Sequence, residues 1–202
     1  MTDLVLETQK INEYLKCSDI VNFDNEMVRS LADQLSEEFI GEQELVRKIF
    51  EYVRDNISHS GDIGGEVVTC SASEVIEHGQ GICYAKSHLL AALLRCLSIP
   101  TGFCYQKLVL DDNSKPWLII HALNAVYLKG LNKWIRLDAR GNKEGVNAQF
   151  STNREMLAFT VRNELGEENI PIIFAEPNYK CVNALKQYST ADELFDNLPT
   201  EL

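Results

Sequence analysis

Nowhere in the 202 residues do 18 or more apolar residues run together, and the opening MTDLVLETQKINEYL has neither a basic stretch nor a continuous apolar core. A membrane-spanning helix and a secretory leader are therefore not expected, and a cytoplasmic protein is. A basic patch is lacking too: the net charge is -11, with acids spread along the chain rather than gathered in a tail. This balance argues against nucleic acid or an anionic membrane as a partner. CxxC pairs are absent, and the six cysteines (Cys17, Cys70, Cys83, Cys96, Cys104 and Cys181) are scattered. A chain of this length buries enough core to do without a disulfide scaffold, so they read as free thiols. With no repeat, low-complexity tract or linker, one domain over residues 1–202 is expected.

What is present has clear periodicities. Apolar residues recur at helical spacing between Asp24 and Ile57 (Met27, Val28, Leu31, Leu35, then Leu45, Val46, Ile49, Phe50, Val53), which predicts two amphipathic helices broken at Gly41. Gly61, Gly64 and Gly65 mark an irregular surface connection over residues 58–67. Ser71 with Glu74 three residues on reads as a capping-box start for a short helix that ends near Gly79. Over residues 83–97 apolar positions cover more than one face, predicting a largely buried helix that stops before Pro100, with Lys86 and Arg95 on its solvated side. The period then changes to that of strands at 102–110, 119–128 and 133–137, joined by DDNSKP and KGLN. Helices followed by a strand meander predict an α+β fold, an antiparallel sheet packed on helices. Beyond Asp138 the signals weaken until TADELFDNLPTEL suggests a last short helix.

The stretch GQGICYAKS places Cys83 where a helix begins. The first turn of a helix directs free N–H groups and the positive end of its dipole at such a thiol, favouring the reactive thiolate. Cysteine is also a common buried hydrophobe, so position alone does not decide. A partner base does. If KGLN turns HALNAVYL into KWIRLDA with Leu128 opposite Lys133, Asp138 faces Leu123 and has His121 as its diagonal neighbour on the same face. Cys83, His121 and Asp138 then make a nucleophile, a base and an orienting acid, the set used in acyl transfer. An oxyanion needs at least two donors. The backbone N–H of Cys83 is one, and Gln80 or Tyr84 can supply the second, with Gln80 preferred.

These segments, SASEVIEHGQGICYAKSHLLAALLRCLSIPTGF, then HALNAVYL, then KWIRLDA, resemble the transglutaminase-like superfamily over about residues 45–142. The resemblance implies a papain-like α+β core and a Cys83, His121, Asp138 triad acting on amide or ester carbonyls of a peptide, a protein or a small amide. The sequence departs from the family pattern at Leu123 and Ala125, and at Ser98, which stands where glycine usually precedes Ile99-Pro100. With no acceptor motif and no calcium loop in DDNSKP, hydrolysis is slightly favoured over transfer to an amine. The alternative is a binding or scaffold protein that keeps the fold without turnover. No cofactor is expected. His59, His78, His88 and Cys70 lack the short spacings of zinc ligands, so no metal site is expected either. Trp117 and Trp134 are candidates for a groove beside the triad, core packing being the better reading for Trp134.

Overall fold

A computed structural model describes residues 4–37, 41–110 and 117–202. The chain opens with a short strand β1 (Val5–Leu6) and a 3-10 turn whose Tyr14 is buried. Asn25 caps α1 (Glu26–Ser36) by accepting from Met27 N, and Val28, Leu31, Ala32 and Leu35 turn inward. The next helix, α2 (Glu42–Asn56), buries Leu45, Val46, Ile49, Phe50 and Val53, so the two amphipathic helices and the break at Gly41 are as the periodicity predicts. The connection after α2 is more ordered than its glycines suggest. It holds β2 (Ser58–His59) and the one-turn helix α3 (Ser60–Ile63), which ends on Gly64 at φ +60°.

The capping box at Ser71 and Glu74 forms and starts α4 (Ala72–His78), which ends on Gly79 in the left-handed region. β3 (Gln80–Gly81) pairs in parallel with β2, setting His59 beside Gly81. Then comes α5 (Cys83–Cys96), buried at every residue from Tyr84 to Arg95. Lys86 and Arg95 are therefore not on a solvated side. Lys86 donates to Arg54 O and Ile57 O at the end of α2, and Arg95 to Lys16 O, Thr101 O and Ala175 O. Both long side chains enter the interior because unpaired carbonyls await them there. Past α5 the chain turns at Ser98, whose φ of +61° is in the region that favours glycine.

The strands β4 (Thr101–Val109), β5 (Leu118–Leu128) and β6 (Lys133–Leu137) form the antiparallel meander read from the sequence, with Leu128 opposite Lys133. The DDNSKP connection lies outside the described residues. Two further strands of this sheet were not legible. β7 (Glu168–Phe174) pairs antiparallel with the other edge of β4, and β1 pairs in parallel with β7, giving the order β1-β7-β4-β5-β6. Pro171 falls where the β4–β7 register shifts, so the residue without an N–H sits at an interruption of the ladder. Two helices close the described chain, α6 (Tyr179–Gln187) and α7 (Ala191–Asp196). The main core lies between α5 and the sheet, with α1, α2 and α4 packed around α5. Among the described residues no helix is long and apolar enough to cross a membrane.

Candidate active site

Cys83 is the first residue of α5. Its N-cap, Ile82, offers no side chain to the free N–H groups of the first turn, so they remain directed at the space in front of the thiol. Two tethers fix the helix against β5. Tyr84 Oη donates to Ile120 O at 2.6 Å, and Asn124 Nδ2 donates to Ser87 O at 3.1 Å and Gly102 O at 3.2 Å. The first holds the backbone immediately before His121 against the residue immediately after Cys83, and the side chains of Cys83 and His121 line one cleft.

The parity of the β5–β6 hairpin puts Asp138, one residue past the end of β6, on the face that carries His121. His121 Nε2 lies 2.8 Å from Asp138 Oδ2, which leaves the other ring nitrogen for Cys83. The carboxylate is itself held by Arg140 N on Oδ1 at 3.1 Å and by Ala158 N on Oδ2 at 3.2 Å. Phe159 meets the imidazole edge to face, with ring centroids 5.1 Å apart at 88°, and shields it from solvent. Burial pushes the His121 pKa down, but the Asp138 carboxylate and the Cys83 sulfur outweigh it and hold the value up at about 10. Burial likewise pushes the Asp138 carboxyl up, and its His121 partner and three hydrogen bonds bring it below the ordinary value. Such opposed shifts mark an acid and a base set against each other.

Cys83 and His121 open into a cleft of about 190 Å³ with an apolar wall that includes Ile82, Phe159, Phe195 and Leu198. A polar wall faces it. Asp62 accepts from Arg140 Nη2 and Lys143 Nζ, both at 2.7 Å. Burial pushes the Asp62 carboxyl up, but Arg140 and then Lys143 outweigh it and hold the value down to about 2. His59 completes this wall. Burial first and the Arg140 charge second hold its pKa down to about 3, so the ring is neutral.

Of the residues named from the sequence, Cys83, His121 and Asp138 are brought together. Gln80 is not among the residues lining the cleft: its carboxamide oxygen is buried against Gly65. Trp117 and Trp134 do not line it either. Trp134 packs against Tyr14 on another groove, beside Leu4 and Leu6. His88 is buried with Nδ1 on Cys70 O at 2.7 Å, and His78 is exposed. No three His, Cys, Asp or Glu side chains converge as a metal-ligand set among the described residues. Ala158 and Phe159, which hold the acid and the base, come from a stretch without regular elements and carried no signal.

Among solved structures, a candidate cysteine protease from Cytophaga hutchinsonii is similar at 24% identity with a TM-score of 0.53, over 69% of this chain and 46% of that one. The periplasmic domain of TgpA from Pseudomonas aeruginosa shares 15% identity with a TM-score of 0.49, over 65% of this chain and 48% of that one. The chain thus covers less than half the length of these structures, and the first likeness speaks to the fold alone. No curated protein matches the chain. Helix α5, strands β4 to β6 and Cys83, His121 and Asp138 fall within the segment 29–139, which matches the family model for the transglutaminase-like superfamily, so the chain belongs to that superfamily.

Proposed function

We propose that the protein is a cysteine-dependent acyl-transfer enzyme, acting on amide or peptide bonds through Cys83, His121 and Asp138. The observation that carries this reading is that Cys83, at a helix start, shares one cleft with His121, whose Nε2 lies 2.8 Å from Asp138 Oδ2. The Cys83 sulfur attacks the carbonyl carbon while its proton resides on His121. The tetrahedral intermediate collapses as the C–N bond breaks and His121 gives its proton to the leaving amine. Water then attacks the thioester with His121 as base, and the acid leaves as the C–S bond breaks. Asp138 holds the imidazole in the tautomer and orientation these transfers need.

Hydrolysis is favoured over transfer to an amine. The cleft is smaller than the roughly 300–1,000 Å³ of small-molecule sites, so it fits one acyl side chain and a water better than a second large chain. A peptide, a protein or a small amide is the substrate class. A cytoplasmic location is part of the reading, supported by six cysteines with no disulfide among them.

Iodoacetamide labelling at neutral pH, mapped by mass spectrometry, tests the site. Cys83 is expected to react faster than the exposed Cys17, and His121→Ala to abolish the difference. Equal rates at Cys83 and Cys17 in the wild type would sink the activated thiol and leave a binding module.

A further inference from the structure

His59 is an imidazole with no partner beside a site that needs a donor. Its Nδ1 is buried and makes no hydrogen bond, and no bond is formed by Nε2 to any described residue. The ring lines the same cleft as Cys83 and His121. Its place is fixed from both sides. The β2–β3 pairing sets its backbone beside Gly81, two residues before the nucleophile. Its ring lies against Phe195, with centroids 6.4 Å apart, and over Gly61, where an added Cβ would come within 3.4 Å of Cε1 and 2.7 Å of the Phe195 ring. With Nδ1 enclosed, Nε2 is the ring nitrogen that a ligand in the cleft can meet.

We infer that His59 is the second oxyanion donor of this site, giving an N–H bond to the carbonyl oxygen of the substrate alongside the backbone N–H of Cys83. The inference rests on the acyl-transfer reading above. Nδ1 has no acceptor for a proton, which places the single proton of the neutral ring on Nε2, the nitrogen not enclosed by the protein. The other polar groups of the cleft are committed. Arg140 and Lys143 are bonded to Asp62, and Gln80 does not line the cleft. When the Cys83 sulfur adds to the carbonyl carbon, the C=O π pair moves onto oxygen. The two N–H groups meet that charge without any proton transfer, and it returns to re-form the carbonyl as the leaving group departs.

The test compares two reactions of the same thiol in the full chain. Acylation by p-nitrophenyl acetate passes through an oxyanion and expels p-nitrophenolate. Alkylation by iodoacetamide displaces iodide and forms no oxyanion. His59→Phe keeps a ring without a donor, and His59→Gln restores an N–H. His59→Phe is expected to slow acylation by about 10²–10³-fold, the usual loss for one oxyanion donor, and leave alkylation of Cys83 unchanged, while His59→Gln recovers part of the loss. Unchanged acylation in His59→Phe overturns the assignment. So does an equal fall of both reactions in both variants, which marks a structural role. A wild type that alkylates fast at Cys83 yet is never acylated defeats the acyl-transfer reading itself, and the oxyanion role falls with it.

Discussion

Replacing Asp138 by asparagine keeps the size of the side chain and removes its charge, and the surroundings of the carboxylate determine the cost. Three donors converge on it: His121 Nε2, Ala158 N and Arg140 N. A carboxamide offers one oxygen, so in either orientation its NH2 confronts at least one N–H. His121, 3% exposed, loses the charge that holds its proton. Breaking one side of a buried pair costs roughly 3–5 kcal/mol. In a chain of this size that lowers the melting temperature by roughly 6–20 °C.

The loss has a pH signature. His121 has a folded pKa of about 10 against an ordinary 6.5, so its contribution is fully present below 6.5 and is lost as the pH rises through 10. Asp138 works in the opposite sense. Its folded pKa is below the ordinary 3.8, so its contribution holds above 3.8 and is lost as the pH falls through the lower value. Calorimetry of wild type and Asp138→Asn is therefore expected to show the widest gap in melting temperature between about pH 4 and 6.5 and a narrowing gap toward pH 10. A gap that stays constant from pH 5 to pH 10 would refute the charged pair, whatever the activity of the variant.

Ser98→Gly removes a left-handed strain that costs an L-residue about 1–2 kcal/mol, partly offset by the greater freedom of glycine in the unfolded chain. A rise of roughly 1–4 °C in melting temperature is expected by calorimetry, and a fall would show that the Ser98 side chain is itself stabilising. Lys86 is fully buried, and burial first, then the Arg140 charge, depress its pKa from 10.5 to about 7. A depressed lysine costs stability in full below pH 7, and the cost is relieved as the pH rises from 7 to 10.5. Wild type should therefore gain on Lys86→Met across that range in urea titrations. A difference that stays flat would mean that Lys86 keeps its ordinary proton affinity.

The parts of the site that were legible in the sequence have a local code. The helix start at Cys83 follows from the left-handed stop at Gly79 and the long apolar run after it. The meeting of His121 and Asp138 follows from strand parity, because once KGLN fixes Leu128 opposite Lys133 the pleat alone decides which side chains share a face. β7 had no such code. Pro171 and the register shift break the alternation that would have announced a strand, and its place beside β4 is set by pairing across the sheet.

What remained hidden shares one physical cause. Periodicity assumes that charged residues seek water, yet Lys86 and Arg95 go inward because backbone carbonyls at Arg54, Ile57, Lys16, Thr101 and Ala175 need donors. Any residue type presents a carbonyl or an N–H, so such partners leave no mark in composition or spacing. Ala158 N on Asp138 is the same case in the site itself. His59 is its converse, a donor whose partner is missing from the chain. Its sequence neighbourhood suggested only a glycine-rich connection, and its importance emerges when the β2–β3 pairing sets it beside Gly81 and the count of hydrogen bonds leaves its ring unmatched. Gln80 Oε1 and Asn124 Oδ1 are buried without a partner as His59 Nδ1 is, but of the three only His59 lines the cleft with Cys83, so its other nitrogen is the one that a ligand there can meet.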